Sequence, residues 1–211
     1  MPMMGGGGAG CGRSYVREMG VCGAVAWRSH VREFGAVPAY VSMMHRDLPP
    51  TRILFLCLGN ICRSPAAEGI FLHRARERGV LGHYVVDSAG LGAWHAGERP
   101  DPRTLAEAKR RGVEVPSVAR QITARDFEDQ DVIVYMDALN HASLSKRGAP
   151  AEKLRAMLSF HPEALADDVA DPYEHGPEAF VHMFDELERA VDGMLDELEA
   201  DRAARVGKHP K

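Results

Sequence analysis

From residue 52 onward, strand-type and helix-type segments alternate along the chain, and this pattern constrains the fold more than any other feature. The apolar run ILFLC is typical of a buried strand, and PAAEGIFLHRARERG after it predicts a helix that begins at Pro65 and ends at Gly79. HYVVDSAG and DVIVYMD predict further strands, KLRAMLSF predicts a weaker one, and DPRTLAEAKRRG, TARDFED and ALNHASLSKRG predict helices. Such alternation favours a single α/β domain with a central parallel sheet and helices on both of its faces.

A long amphipathic helix is predicted at the C-terminal end of this domain, over PEAFVHMFDELERAVDGMLDELEADRAAR. Its apolar positions recur with helical spacing at Phe180, Met183, Phe184, Leu187, Val191, Met194, Leu195 and Leu198. The pattern predicts that this helix packs against the sheet.

The first fifty residues differ from the rest, because a glycine tract opens them and no strand or helix period follows. We expect residues 1–50 to be a disordered or loosely helical extension, and residues 51–205 to form the domain. The extension lacks the apolar core and cleavage site of a signal peptide. The other interpretations are an organelle transit peptide, a dispensable extension, and a start codon assigned too early, with the true start at Met43 or Met44.

Composition narrows the classes of function. The formal net charge of -4 disfavours a general nucleic-acid binder. No apolar run reaches the roughly 18 residues of a membrane span. Four cysteines in 211 residues are too few for a disulfide scaffold, which favours a reducing, cytoplasmic setting. We expect a monomer, and a conspicuous cysteine is then a candidate for chemistry.

The loop between the first strand and the first helix holds such a cysteine. Gly59 has no Cβ and Asn60 tolerates positive φ, so the loop can curl and aim its N–H groups at one anion. Arg63 adds a charged planar fork that binds two phosphate oxygens. Cys57 then lies at the base of a positive cup that favours the thiolate, which Ser64 can hydrogen-bond. The loop predicts covalent phosphoryl transfer through sulfur, and the alternative is a plain strand-to-helix turn.

CLGNICRSP also resembles the signature loop of the low-molecular-weight protein tyrosine phosphatases, which carry Cys-x5-Arg-Ser near the start of the domain. Further segments resemble this family in order: DSAG, WHAGERPDPR, ARQIT, YMDALN and the acid loop ADPYEHG. The resemblance covers about residues 52–198. It implies a compact α/β domain, hydrolysis of phosphotyrosine in proteins, a cysteinyl-phosphate intermediate, and no metal or other cofactor.

The resemblance also implies roles for individual residues. The residues expected to take part in the reaction are Cys57, Arg63 and the general acid Asp171. The remaining expected site residues are the phosphate-binding loop residues Leu58, Gly59, Asn60, Ile61, Cys62 and Ser64, the supporting Ser88, and the substrate-rim residues Trp94 and Tyr173. A plain turn at Asp171-Pro172, and simple packing of Trp94 and Tyr173, are the alternatives.

The chain departs from the family pattern at two places. Glu174 stands where many members have a second aromatic residue, which affects the choice of substrate. Ser117 stands where many members have a histidine, so a supporting hydrogen bond is lost or replaced. Cys62 is either a packing residue or the partner of Cys57 in a reversible, protective disulfide.

Three other functions remain open from the sequence. Thioredoxin-coupled arsenate reductases share the loop but use further downstream cysteines, and none follows Cys62 here. Phosphoarginine phosphatases typically carry threonine where this loop has Ile61. A non-catalytic phosphate-binding module is the third, although such a module needs neither a nucleophile nor an acid.

Overall fold

The computed structural model describes residues 48–207, so nearly all of the predicted extension lies outside the described residues. Four parallel strands form one sheet in the order β2-β1-β3-β4. Their bounds are Thr51–Cys57 for β1, Tyr84–Gly90 for β2, Val132–Tyr135 for β3 and Leu154–Ala156 for β4. The predicted parallel sheet is confirmed.

Within residues 48–207, five α-helices accompany the sheet. They are α1 (Arg63–Glu77), α2 (Pro102–Arg110), α3 (Ala124–Asp129), α4 (Ala138–Lys146) and α5 (Pro177–Gly207). All five were predicted, but α1 begins two residues earlier than the position of Pro65 indicates. None of the helices in residues 48–207 is both long and apolar enough to cross a membrane.

The central strand β1 separates two hydrophobic cores, because its side chains alternate between the faces of the sheet. Phe55 and its odd-numbered neighbours pack with Phe71 of α1 and Phe184 of α5. Leu54 and Leu56 pack on the other face, where Leu144 of α4 is buried. Helices therefore cover both faces, as the near-continuous apolar sequence of β1 predicts.

The segment KLRAMLSF is only partly a strand, which corrects the prediction from its apolar residues. Extended pairing ends at Ala156, and Met157–Phe160 forms a 3₁₀ helix. Met157, Leu158 and Phe160 are all buried there. This turn packs so tightly on α5 that a Cβ added at Gly193 would lie 2.0 Å from the carbonyl oxygen of Phe160. Burial of nearly consecutive side chains on a helical turn explains the apolar run without a long strand.

Candidate active site

The centre of the sheet's carboxyl edge holds the predicted nucleophile. Cys57 is the last residue of β1, which pairs with β2 on one side and β3 on the other. Residues 58–62 then curl into the N-terminus of α1. A cavity of about 140 Å³ opens above this loop and is lined by Cys57, Leu58, Gly59, Ile61, Cys62, Arg63, Trp94, His95, Asp171 and Tyr173. Nine of these ten residues are among the predicted site residues; His95 is not.

Asn60 fixes the curl of the loop. Its backbone has φ of 57°, and its side chain is completely buried. The amide nitrogen donates to the hydroxyl oxygens of Ser64 and Ser88, both at 2.9 Å, while the amide oxygen accepts from the backbone N–H of Arg120 at 3.0 Å. Asn60 therefore ties the loop to α1, to β2 and to the segment before α3.

Two polar groups lie close to the Cys57 sulfur. The hydroxyl oxygen of Ser64 lies 3.1 Å from Sγ, and the backbone nitrogen of Asn60 donates to Sγ at 3.3 Å. The sulfur is nearly inaccessible at 3% exposure of the residue. The backbone N–H of Asn60 is a donor directed at the sulfur, and the Ser64 hydroxyl can either donate or accept. The arrangement suits a sulfur nucleophile.

Arg63 is buried and held from two sides. One terminal nitrogen donates to Asp137 Oδ2 at 2.6 Å and to the carbonyl of Val169 at 3.1 Å, and the other donates to Asp171 Oδ2 at 2.5 Å. Burial alone would lower the pKa of Arg63, but the negative charges of Cys57, Asp171 and Asp137 raise it above its usual value. The guanidinium stays charged inside the protein.

The third guanidinium nitrogen of Arg63, Nε, is buried and has no hydrogen-bond partner within residues 48–207. A buried donor without a partner costs about 1–3 kcal/mol. An oxyanion in the adjoining cavity would remove that cost, so the geometry of Arg63 fits a bound phosphate.

The predicted acid Asp171 lies at the mouth of the cavity. Its side chain is 40% exposed, and the carboxylate oxygen that does not contact Arg63 accepts from the backbone N–H of Tyr173 at 3.2 Å. The structure thus places Asp171 beside Arg63 and above the loop of Cys57, although these residues are separated by more than one hundred positions in sequence.

A second arginine joins the acid loop to the phosphate loop. Arg103 donates to the carbonyl oxygens of Tyr173 at 3.0 Å and His175 at 2.9 Å. Its guanidinium also donates to both carboxylate oxygens of Asp101. The backbone N–H of Asp101 in turn donates to the carbonyl of Ile61 at 2.9 Å. We call this linkage the Arg103 clasp. Arg103 ends the segment WHAGERPDPR that resembles the family, but its long-range partners are visible only in the fold.

Aromatic side chains form the rim of the cavity. Trp94 is 70% exposed and Tyr173 is 44% exposed. Between them lies His95, whose ring centroid is 6.4 Å from that of Tyr173 and whose Nδ1 lies 2.8 Å from Glu98. Exposed rings that face a cavity are available to a planar ligand. Proximity to the predicted Trp94 is the one sequence signal that points to His95.

Ser117 has a hydrogen-bond partner despite departing from the family pattern. Its hydroxyl donates to Oε2 of the buried Glu68 at 2.5 Å. Burial raises the pKa of Glu68, partly offset by hydrogen bonds from Ser117 and Ser88. Ser117 therefore makes a buried hydrogen bond of its own to α1. Glu68 was not predicted, since an acidic residue in an exposed-looking helix pattern gives no sign of burial.

Cys62 differs chemically from Cys57. Burial, and after it the negative charge of Asp101, raise the pKa of Cys62 to about 12. Both cysteines are free thiols in this structure, so the reversible disulfide remains a prediction. In the described part of the chain, no group of three or more His, Cys, Asp or Glu side chains is arranged to hold a metal ion.

Similarity to known proteins extends over the part of the chain that forms this site. The family model described as "Low molecular weight phosphotyrosine protein phosphatase" matches residues 52–204. A low molecular weight protein-tyrosine-phosphatase of Streptomyces coelicolor is 41% identical over 151 residues, which are 68% of this chain and 91% of that protein.

Two solved structures are also similar. A protein tyrosine phosphatase from Entamoeba histolytica, with Hepes in its active site, has a TM-score of 0.69 and 35% identity, and the match covers 72% of this chain and 99% of that one. A Drosophila arginine phosphatase has a TM-score of 0.62 and 32% identity, covering 69% of this chain and 96% of that one.

Proposed function

The chain belongs to the low molecular weight phosphotyrosine protein phosphatase family, and from this premise we propose that it hydrolyses phosphotyrosine in proteins through a phosphorylated Cys57. One observation carries the proposal. The Cys57 sulfur and the unpartnered Nε of the buried Arg63 belong to the two ends of one curled loop, around a single cavity. A phosphate in this cavity accepts from the guanidinium of Arg63 and presents its phosphorus to the Cys57 sulfur.

The first step forms the sulfur–phosphorus bond. Backbone N–H groups of the loop and the guanidinium of Arg63 hold the phosphate oxygens, and the Cys57 thiolate attacks phosphorus in line. The phosphate charge competes with Asp171 for the guanidinium, while Asp137 keeps its grip on the other terminal nitrogen. Asp171, released and protonated, gives its proton to the departing phenolate as the phosphorus–oxygen ester bond breaks.

The second step regenerates the enzyme. The Asp171 carboxylate takes a proton from a water molecule, whose oxygen attacks the phosphorus of the cysteinyl phosphate. The sulfur–phosphorus bond breaks, Cys57 returns as a thiolate, and inorganic phosphate leaves. Asp171 is protonated again and ready for the next turnover, so protons balance over the cycle.

The rim supports an aryl phosphate as substrate. A phosphotyrosine ring that reaches Cys57 passes between the exposed faces of Trp94 and Tyr173. Phosphoarginine is the second candidate, because an arginine phosphatase is among the similar structures. We place phosphotyrosine first, because Ile61 lines the cavity with an apolar surface where phosphoarginine phosphatases typically carry threonine.

Turnover of phosphotyrosine, phosphoserine and phosphoarginine peptides, beside arsenate with thioredoxin, tests the choice of substrate. We expect phosphotyrosine to have the highest kcat/KM. Cys57→Ser should abolish turnover while the variant keeps its thermal unfolding temperature and binds phosphate. Turnover of the folded Cys57→Ser variant at the wild-type rate would refute the mechanism, and a higher kcat/KM for phosphoarginine would reverse the order of substrates.

A further inference from the structure

A second cavity, of about 530 Å³, opens beside the phosphate cavity. The two share Leu58, Arg63 and Asp171, so they adjoin each other at Leu58 and the Arg63–Asp171 ion pair. The second cavity leads away from Trp94 toward α4. We call it the α4 groove, and its other lining residues are Leu91, Asp137, Leu139, Asn140, Ala142, Ser143 and Lys146.

One face of α4 forms the wall of this groove. Leu139, Ala142, Ser143 and Lys146 are spaced by three, four and seven positions, which places them on the same side of a helix. The core is contacted instead by Leu144, which is fully buried. Leu139 is 78% exposed, so its side chain is largely free of the packing of the described domain.

The groove has an apolar end and a cationic end. Leu58, which is 46% exposed, and Leu139 lie at the end of the groove where Arg63 is ion-paired with Asp137 and Asp171. Lys146 is exposed at the far end of the helix face. The seven-residue separation between Leu139 and Lys146 corresponds to a rise of about 10 Å along the helix. An extended peptide covers that distance in about three residues.

We propose that the α4 groove binds the segment of the phosphoprotein substrate next to its phosphotyrosine, and that it selects an apolar side chain followed about three residues further by an acidic one. The inference rests on the proposed phosphotyrosine hydrolysis. A polypeptide whose phosphate reaches Cys57 must leave the cavity past its rim, and the groove adjoins that rim at Leu58 and Asp171. The apolar side chain covers Leu58 and Leu139, and the carboxylate pairs with Lys146.

The test uses synthetic phosphotyrosine peptides of equal length. Two of the peptides carry leucine next to the phosphotyrosine and glutamate three residues beyond the leucine. In one peptide these residues lie on the N-terminal side of the phosphotyrosine, and in the other they lie on its C-terminal side. Matched peptides replace the leucine by alanine or the glutamate by lysine. Each kcat/KM is divided by the kcat/KM of the same enzyme for p-nitrophenyl phosphate, so that effects on the chemical step cancel.

We expect the wild-type protein to favour leucine over alanine by about tenfold, and glutamate over lysine by about threefold, on one side of the phosphotyrosine. Leu139→Ala should abolish the first preference, and Lys146→Glu should reverse the second. Val85→Ala and Lys109→Glu, both at exposed positions away from the sheet's carboxyl edge, serve as matched controls and should keep both preferences.

The outcomes separate the two proposals. Absence of turnover with both phosphotyrosine peptides and p-nitrophenyl phosphate would refute the proposed function itself. Turnover with preferences that are missing in the wild-type protein, or that survive both Leu139→Ala and Lys146→Glu, would refute the groove alone. Peptide preferences lost equally in the Val85 and Lys109 controls would also count against it, because they would show a general effect of surface substitution.

Discussion

Replacing Asn60 with alanine removes one small side chain and three hydrogen bonds around the phosphate loop. The lost bonds join Asn60 to the hydroxyl groups of Ser64 and Ser88 and to the backbone N–H of Arg120. All of them involve a side chain that is completely buried. The substitution also places an alanine at φ of 57°, where its Cβ is crowded.

The lost hydrogen bonds and the backbone conformation determine how much Asn60→Ala lowers the free energy of unfolding. Buried hydrogen bonds of this kind contribute about 1 kcal/mol each. The left-handed conformation costs a residue with an ordinary Cβ about 1 kcal/mol more. We therefore expect Asn60→Ala to lower the free energy of unfolding by about 4 kcal/mol, a large part of the roughly 5–15 kcal/mol typical of a domain. Asn60→Gly loses the same hydrogen bonds without the steric cost, so it should be about 1 kcal/mol more stable than Asn60→Ala.

Urea unfolding of the wild-type protein and both variants, with one denaturant slope for all three, measures these differences. The kcat of each variant should fall along with its stability, because Asn60 positions the backbone N–H that faces the Cys57 sulfur. If Asn60→Gly were as stable as the wild type, the hydrogen bonds would contribute nothing. If the alanine and glycine variants were equally stable, the reasoning about φ would be wrong.

Three shorter predictions concern other parts of the molecule. Arg103→Ala removes the hydrogen bonds of the Arg103 clasp. Because the affected step is proton transfer, kcat should fall about tenfold for substrates with poor leaving groups, with little change in KM. A loss of kcat that is independent of the leaving group would contradict this. Gly193→Ala should lower the free energy of unfolding by about 1–3 kcal/mol through overpacking. Gly82→Ala should not lower it, because the space around Gly82 is open. Equal effects of the two substitutions in urea unfolding would refute this prediction. The unfolded state releases the Cys62 proton near its ordinary pKa of 9.0 and the folded state only near 12, so stability should fall as the pH rises between these values. Cys62→Ala should not show this fall in stability. Identical pH profiles of stability for the wild type and Cys62→Ala would contradict the prediction.

The sequence predicts most of the fold because its local patterns agree with the final packing. The apolar run of β1 is buried on both faces, and the stripe of α5 faces the core, so periodicity alone identifies both. The loop from Cys57 to Arg63 is equally readable, since its strand, its curl and its helix are contiguous in the chain. Only KLRAMLSF misleads, because tight packing on α5 replaces most of the predicted strand with a 3₁₀ turn.

The contacts that complete the candidate site could not be predicted, because they join distant segments. Arg63 meets Asp137 and Asp171 across 74 and 108 positions of sequence, and no local pattern encodes such pairs. The partners of Arg103 and the burial of Glu68 depend on tertiary packing in the same way. Resemblance to a family found Asp171, whereas Asp137 and Arg103 emerged only from the fold.

Rapid acid quenching of a phosphotyrosine reaction, followed by mass spectrometry of the peptide that holds both Cys57 and Cys62, tests the central claim most directly. Acid conditions must be mild enough to keep the sulfur–phosphorus bond. Asp171→Asn slows breakdown of the intermediate, and with p-nitrophenyl phosphate, whose good leaving group needs little protonation, it serves to increase the amount trapped. We predict the mass of one phosphoryl group on Cys57, absent from Cys57→Ser and absent from Cys62. A phosphoryl group on any other residue, or active turnover with none trapped on Cys57 in either protein, would contradict the account.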